Sequence, residues 1–551
     1  MIPAGCELDI LRRLAEMPFL DRLELVTLCR RSRSAVYGSM ERLVERGMVQ
    51  AIPHASELNS PTRRYCLTGA GLERLADLER VTPEELLATR PVSARWRRAL
   101  LERLDAVAVI HRVAAALPHA QRGLEFRWYR SGAIDAGIIL PGGRALAVVR
   151  MGNAADRTAF AKRLWRLSQE ARPDAVLLLA PDEVRLRQVS RMLDSLPLLG
   201  FLALECDATA QAAGGESRIW RAPASPVPLD LQEVLEQVPY GGELPETGPA
   251  RQEAVPADLR LDLSDDESVP PHLLPVLLKR SEKRVLDLLH DWPWLTTAHL
   301  EQFLGVNPTR VCQVTARLKS LGLVAPVKAE GTRCLALSDR GLGVLARRDR
   351  SAVGAARQRW SAAPVDPGAP LDWRNVHGSR SRQLLRNLDH TQAVHWFLGA
   401  LSDQSRSRGC ELAQIAPPRR ATRFFRRDGR LHSVRPDAFG VLQREGMELP
   451  FFLEWERRAV RPGTMAARIA PYLRYYAGSR PLDDHGVIPR VLVVFDDDLA
   501  ASHFLRVAAR EIRKAGVKVP LWVSHRAALE RLGPLGAAWL RPGFFQPECA
   551  F

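Results

Sequence analysis

Apolar residues at the start of the chain fall at helical spacing. Leu8, Leu11 and Leu14 line one face, and Met17-Pro18-Phe19 interrupts it. The pattern predicts further helices over residues 21–29 and 32–45, the second stopped by Gly47 at a position suited to a left-handed cap. Residues 49–52 and 64–67 have strand length, and a helix restarts at 68–75. Three helices followed by a two-stranded wing is the order of a winged helix-turn-helix. The same order returns later: helices over 282–289, 297–303 and 308–320, then Gly322, then strands around 323–327 and 333–337. There Asn307 is the expected N-cap and Pro308 the first helical residue.

Landmarks extend this echo into a long tandem duplication. Pro18, Leu43 and Gly47 stand 275 residues before Pro293, Leu318 and Gly322. Thr62-Arg63, Thr68 and Gly71 stand 270 before Thr332-Arg333, Ser338 and Gly341, so a five-residue deletion falls in a loop just before the Thr-Arg pair. Leu104-Asp105 and His111 match Leu388-Asp389 and His395 at an offset of 284, Asp135-Ala136 matches Asp437-Ala438 at 302, and Trp220 matches Trp539 at 319. Stepwise offsets are what loop insertions produce. The second copy reads as an extended segment at 434–442, a buried strand at 449–455, a helix at 464–476, a strand at 490–495, a helix at 500–515 and a strand at 517–523. That alternation implies a mixed or parallel central sheet.

The expected fold class is therefore α/β and α+β multidomain, with two winged helix-turn-helix domains each followed by an α/β domain. The expected boundaries are 1–90 (winged helix one), 91–222 (α/β one), 223–278 (linker), 279–350 (winged helix two) and 351–551 (α/β two). The linker is rich in Pro, Glu and Asp with little sustained periodicity, which predicts a mostly flexible tether.

Charge changes the picture. The formal net charge of +16 over 551 residues, mostly arginine, favours a polyanionic partner, with double-stranded DNA first. An apolar content of 46% leaves enough for real cores in both halves. The eight cysteines form no CxxC pair and no zinc spacing, which suits reduced thiols. No apolar run is long enough for a membrane helix, and the start of the chain has no apolar signal core. A cytoplasmic protein without membrane association is expected.

In each winged helix the N-terminal end of the third helix would enter the major groove. The candidates are Arg33, Ser34, Tyr37 and Arg42 in the first, and Thr309, Arg310, Gln313 and Arg317 in the second. Arg63, Arg64, Lys328 and Arg333 are the wing candidates for phosphate or minor groove. Arg423, Arg426 and Arg427, interleaved with Phe424 and Phe425, suggest a hairpin that tracks phosphates.

The carboxylates Asp437, Glu454 and Glu456 are the candidate catalytic set. Pro436-Asp437, followed by an acid on the next strand, has the layout of PD-(D/E)XK (restriction-endonuclease-like) enzymes, in which two acids hold Mg²⁺ against a phosphate. Asp437 and Glu454 would be the metal ligands. The position usually held by lysine is Glu456, which supplies no positive charge; Arg457 or Arg458 are the nearest substitutes. In the first copy Asp135 is kept, but Arg150 is expected where the strand acid should stand, so that copy reads as degenerate.

The second half resembles the replication-relaxation family. The residues that carry the resemblance are Leu-Asp-His-Thr-Gln-Ala-Val-His-Trp-Phe at 388–397, Arg-Pro-Asp-Ala at 435–438, Phe-Leu-Glu-Trp-Glu-Arg at 452–457 and the helix ending at Tyr472 to Tyr476. The family's Glu-x-Asp-Arg appears here as Glu454-Trp455-Glu456-Arg457, and its lysine in the following helix as Arg468. The resemblance implies a DNA-binding protein of a plasmid, phage or integrative element, acting in replication or transfer, with a relaxase or helicase as possible protein partner. The rival readings are a Mg-dependent endonuclease or nickase using the three acids, a winged-helix transcriptional regulator, and a scaffold recruiting a replication or transfer protein.

Overall fold

The computed structural model describes the chain except residues 1–4, 121–122, 154–156, 171, 211–216, 224, 226, 247–252, 262–265, 330 and 457–461. It divides into two compact units. Unit 1 comprises Met1–Arg284 with Arg340–Ala356, and unit 2 comprises Val285–Asp339 with Arg357–Phe551.

Unit 1 begins with helices Gly5–Glu16, Arg22–Cys29 and Arg33–Glu45, followed by the antiparallel strands Val49–His54 and Thr62–Leu67. Local chemistry sets each start. Asp21 and Glu24 form a reciprocal capping box on the second helix, and Ser32 caps the third. Phe19 is fully buried in the left-handed region (φ 74°), and its N–H donates to the Tyr65 carbonyl at 2.7 Å, tying the first turn to the hairpin.

Unit 2 repeats these devices. Helices Thr297–Leu304 and Pro308–Ser320 precede strands Val324–Ala329 and Thr332–Leu337, and Asn307 caps the second helix through the Arg310 N–H at 2.8 Å. Trp294 takes the place of Phe19 with φ 72°, and Leu295 bridges Leu335 as Leu20 pairs with Tyr65. Gly47 and Gly322 both have φ 66°.

The interiors differ where the frames agree. In unit 1, buried Arg64 pairs with buried Glu24 at 3.1 Å, near His111. The matching positions in unit 2 hold Cys334, His299 and His395, with the two imidazoles 5.6 Å apart. A charged cluster has been exchanged for neutral groups.

Each unit holds a five-stranded mixed sheet, and the two sheets are similar. In unit 1 the order is Glu125–Trp128, Ala136–Ile139, Ala145–Arg150, Ala175–Ala180, Gly200–Leu204; in unit 2 it is Glu411–Ala416, Ala438–Arg444, Met447–Glu456, Arg490–Phe495, Leu521–His525. The first two pairings are antiparallel and the last two parallel in both. The parallel strands are runs of Val, Leu and Phe buried on both faces, as crossover helices require.

Register corrects one sequence match. Ala136 opposes Val148 and Ala438 opposes Leu453. Glu454 therefore corresponds to Val149, Trp455 to Arg150 and Glu456 to Met151. The same slots bind the same partners: the Arg150 N–H donates to Asp135 Oδ2 at 2.7 Å, and the Trp455 N–H to Asp437 Oδ2 at 2.8 Å. So Arg150 does not replace the strand acid; Val149 does.

The acidic segment at 223–278 is less of a tether than its composition predicts. It contains the capped helix Leu231–Gln237 and belongs to unit 1. The Gln50 side-chain amide both donates to and accepts from the Leu259 backbone (2.7 and 2.9 Å), and Glu253 pairs with Arg130 at 2.9 Å. These contacts tie parts of the segment to the unit. Residues 340–356, expected within the second half, are also part of unit 1.

His54 gives unit 1 a titration. Burial pushes its pKa down to about 4, helped by Arg64 and Lys283 and opposed by its bond to Asp105 at 2.9 Å. A depressed histidine pKa stabilises the fold above the unfolded value of about 6.5, and that stability is lost as pH falls toward 4. Urea unfolding should show roughly 2–3 kcal/mol lost between about pH 7 and 4.5, and His54→Gln should flatten that slope. Equal slopes in both proteins would rule the histidine out as the cause.

Candidate functional site

The carboxylate site of unit 2 forms where two strands end. Asp437 precedes Ala438–Arg444, while Glu454 and Glu456 lie two apart on Met447–Glu456 and so share a face. The Pro462–Tyr476 helix supplies Met465, Arg468, Ile469 and Tyr472 opposite that face. Between them lies a cavity of about 210 Å³ lined also by Ser433, Arg435, Val493 and Phe495.

Each acid already has a protein partner. Asp437 accepts from the Trp455 N–H and lies 3.0 Å from His390 Nε2. Glu454 Oε1 accepts from the Tyr472 hydroxyl at 2.6 Å. Glu456 pairs with Arg468 at 2.5 Å. Burial drives the Glu454 carboxyl well above the usual range, reinforced by the nearby Asp437 charge. Burial also raises Glu456, against the pull of Arg468. Burial and the neighbouring Glu454 carboxyl raise the Tyr472 hydroxyl well above its usual range.

Asp437 and Glu454 are the acids that would hold a Mg²⁺ ion, and each is engaged by a protein partner. A bound metal would need the Glu454 carboxyl deprotonated and released from Tyr472, and its positive charge would favour that form against the effect of burial. Among the described residues no three His, Cys, Asp or Glu side chains converge in a way that would hold a metal ion. Arg457 and Arg458, the nearest substitutes for the absent lysine, lie outside the described residues. His390 and Tyr472, which engage the acids, are not among the site candidates read from the sequence, although both lie in stretches that carry the family resemblance. The Asp389-His390 step within the Leu388–Ser407 helix is the signal that could have found the histidine.

The helical modules present a second set of candidates. In unit 2, Thr309, Arg310 and Gln313 are exposed at the start of Pro308–Ser320, and Arg317 is half-buried. Lys328 and Arg333 are exposed and directly opposite one another on the paired strands. In unit 1, Arg33, Ser34 and Arg63 are exposed. Arg42 is exposed but pairs with buried Glu7 at 2.8 Å, and the Tyr37 ring lies 5.0 Å from the Arg22 guanidinium.

Two candidates are corrected. Arg64 is fully buried, and its NH1 donates to the Phe19 carbonyl at 2.9 Å as well as to Glu24. It holds the module together and has no surface to offer. Arg423 is also buried: it lies over Phe439 and Phe452 and donates to the carbonyls of Arg420 and Ala421. Arg426 and Arg427, in contrast, are exposed on the Arg423–Arg427 strand.

Residues 286–491 match the sequence model of the replication-relaxation family. No curated protein and no solved structure matches the chain. The match covers the second helical module, the Leu388–Ser407 helix, all three carboxylates and most of the sheet that carries them. No described helix is long and apolar enough to cross a membrane.

Proposed function

We propose that this chain, whose residues 286–491 belong to the replication-relaxation family, is a DNA-binding protein that acts in the replication or transfer of a mobile genetic element. Its helical modules serve as winged helix-turn-helix domains on duplex DNA, and its α/β units as PD-(D/E)XK-like domains. The observation that carries the reading lies inside the matched span. Exposed Thr309, Arg310 and Gln313 open one helix, and exposed Lys328 and Arg333 stand across the adjoining hairpin. A helix start bearing Arg and Gln suits base edges, and a cationic strand pair suits phosphate. The net charge of +16 supplies the long-range attraction. A relaxase or helicase is the class of protein partner that replication or transfer would require.

The acids of unit 2 act in this reading without metal chemistry: Asp437, Glu454 and Glu456 orient the Trp455 strand end, Tyr472 and Arg468 beside the cavity. The test is duplex and forked DNA binding by wild type and Asp437→Ala/Glu454→Ala, with and without Mg²⁺. Both proteins should bind within about twofold of one another, a difference under roughly 0.4 kcal/mol, and neither should cut. Cleavage by wild type alone would establish the nuclease reading, with those two acids as ligands. No binding to any DNA would overturn the proposal itself.

A further inference from the structure

Unit 2 contains a hairpin that its counterpart sheet lacks. In unit 1 the chain passes from Trp128 to Ala136 through the seven residues 129–135. In unit 2 it passes from Ala416 to Ala438 through the 21 residues 417–437, which include the antiparallel strands Arg423–Arg427 and Arg430–Val434. Asp428 and Gly429, with φ 50° and 73°, make the tight two-residue turn that matches strand twist and fixes the hairpin's register.

The two faces of this hairpin have different work. Arg423, Phe425 and Val434 are buried on the inner face, where the Phe425 ring lies 5.4 Å from Tyr475. The outer face carries Phe424 and Arg426, paired with Ser433 and Leu431 respectively. Phe424 is 40% exposed and Leu431 67% exposed. Arg426 and Arg435 are exposed beside them, while Arg427 and Arg430, opposite one another at the turn, are exposed on the other face. The face leads to the cavity, because Ser433 and Arg435 line it, with Arg435 Nε donating to Ser433 Oγ at 3.1 Å.

Arginines alone would serve to follow the phosphates of a duplex. An exposed phenylalanine and leucine among them gain nothing there, since duplex bases are stacked and paired. They gain against the open face of an unpaired base, where aromatic and apolar side chains stack while cations hold the backbone. We propose that the outer face of this hairpin binds a single-stranded DNA segment next to a duplex. Phe424 and Leu431 pack against its bases, and Arg426 and Arg435 contact its phosphates. This rests on the DNA-binding reading above and adds to it the class of DNA: a junction or tailed end rather than blunt duplex.

The test uses the full chain and fluorescence anisotropy on a blunt duplex and on the same duplex with a single-stranded tail. Wild type should bind the tailed DNA at least about fivefold more tightly, from stacking on one or two bases. Phe424→Ser/Leu431→Ser should lose that preference and keep its blunt-duplex affinity, while Phe424→Trp should retain it. Arg426→Gln/Arg435→Gln should lower the salt dependence on tailed DNA by about 1.4, or 0.7 for each single-strand phosphate no longer neutralised. Thermal unfolding of each variant at the wild-type temperature excludes misfolding as the cause. If wild type binds blunt duplex and the tail adds nothing, or if the Ser/Ser variant loses both affinities equally, the hairpin proposal falls and the DNA-binding reading stands. If wild type binds neither DNA, both fall.

Discussion

Asp349→Ala should destabilise unit 1 by about 3–5 kcal/mol, among the largest single-residue effects in the molecule. The Asp349 side chain is fully buried and pairs with Arg150 at 2.8 Å and Arg348 at 3.1 Å. Arg150 also pairs with Glu205 at 2.9 Å. Next to them Asp135 pairs with Arg163 at 2.7 Å and Arg350 at 2.9 Å. Burial alone would raise the Asp135 and Asp349 carboxyls, but the surrounding guanidinium groups outweigh it and hold both well below the usual range.

Removing the Asp349 carboxylate leaves buried Arg348 and Arg150 with less counter-charge (Arg150 keeps Glu205), which costs more than the pair itself contributes. Arg150→Ala/Asp349→Ala should therefore cost at least about 1 kcal/mol less than the sum of its singles. Gly152→Ala should reach the same cluster from the other side, because a Cβ there would fall 2.3 Å from Asp349 Oδ1. Urea denaturation measures all four. A loss below about 1 kcal/mol for Asp349→Ala would mean that water reaches the cluster. In position this ion network is the counterpart of the unit 2 carboxylate site. Val149 and Met151 take the places of Glu454 and Glu456, and arginines close around the one retained acid.

The sequence revealed the frame of this arrangement more readily than its faces. Proline, glycine and tryptophan landmarks survive insertion, so Pro18 and Pro293, Gly47 and Gly322, and Trp220 and Trp539 mark the echo between the halves. The two similar sheets agree with a repeated α/β unit. Between landmarks an apolar strand has no internal marker. Arg150 accordingly falls against Glu454 in the sequence match when its true counterpart is Trp455, a slip of one residue that exchanges the two faces of a strand. The same parity decides Arg64 and Arg423. Each shares its strand face with an inward residue two positions on, Cys66 and Phe425, and each needs distant partners that composition does not show: Glu24 for Arg64, the rings of Phe439 and Phe452 for Arg423. The contribution of Arg340–Ala356 to unit 1 is illegible for another reason. Arg348, Asp349 and Arg350 look like an ordinary charged helix end until Arg150 and Asp135 are placed beside them.

Those same distinctions sharpen the test of DNA binding. Arg310→Ala and Gln313→Ala should each weaken binding to a preferred duplex by about 1–3 kcal/mol and relax sequence preference at one base pair, because both occupy the exposed start of the Pro308–Ser320 helix. Lys328→Ala/Arg333→Ala should weaken all duplexes alike and reduce the slope of log affinity against log salt by about 1.8, or 0.9 for each duplex phosphate no longer neutralised. Arg64→Ala is the informative control. It removes the same charge from the same kind of strand, yet it should leave the salt slope unchanged and lower the melting temperature, because its guanidinium faces Glu24 and the Phe19 carbonyl rather than solvent. Anisotropy titrations over a salt series separate the three classes. If Lys328→Ala/Arg333→Ala kept the wild-type slope, the hairpin of strands Val324–Ala329 and Thr332–Leu337 would not touch phosphate and the winged-helix reading of that module would fail. If Arg64→Ala flattened the slope as much as the surface pair does, the effect would be one of net charge alone, and no particular face of the molecule would be engaged.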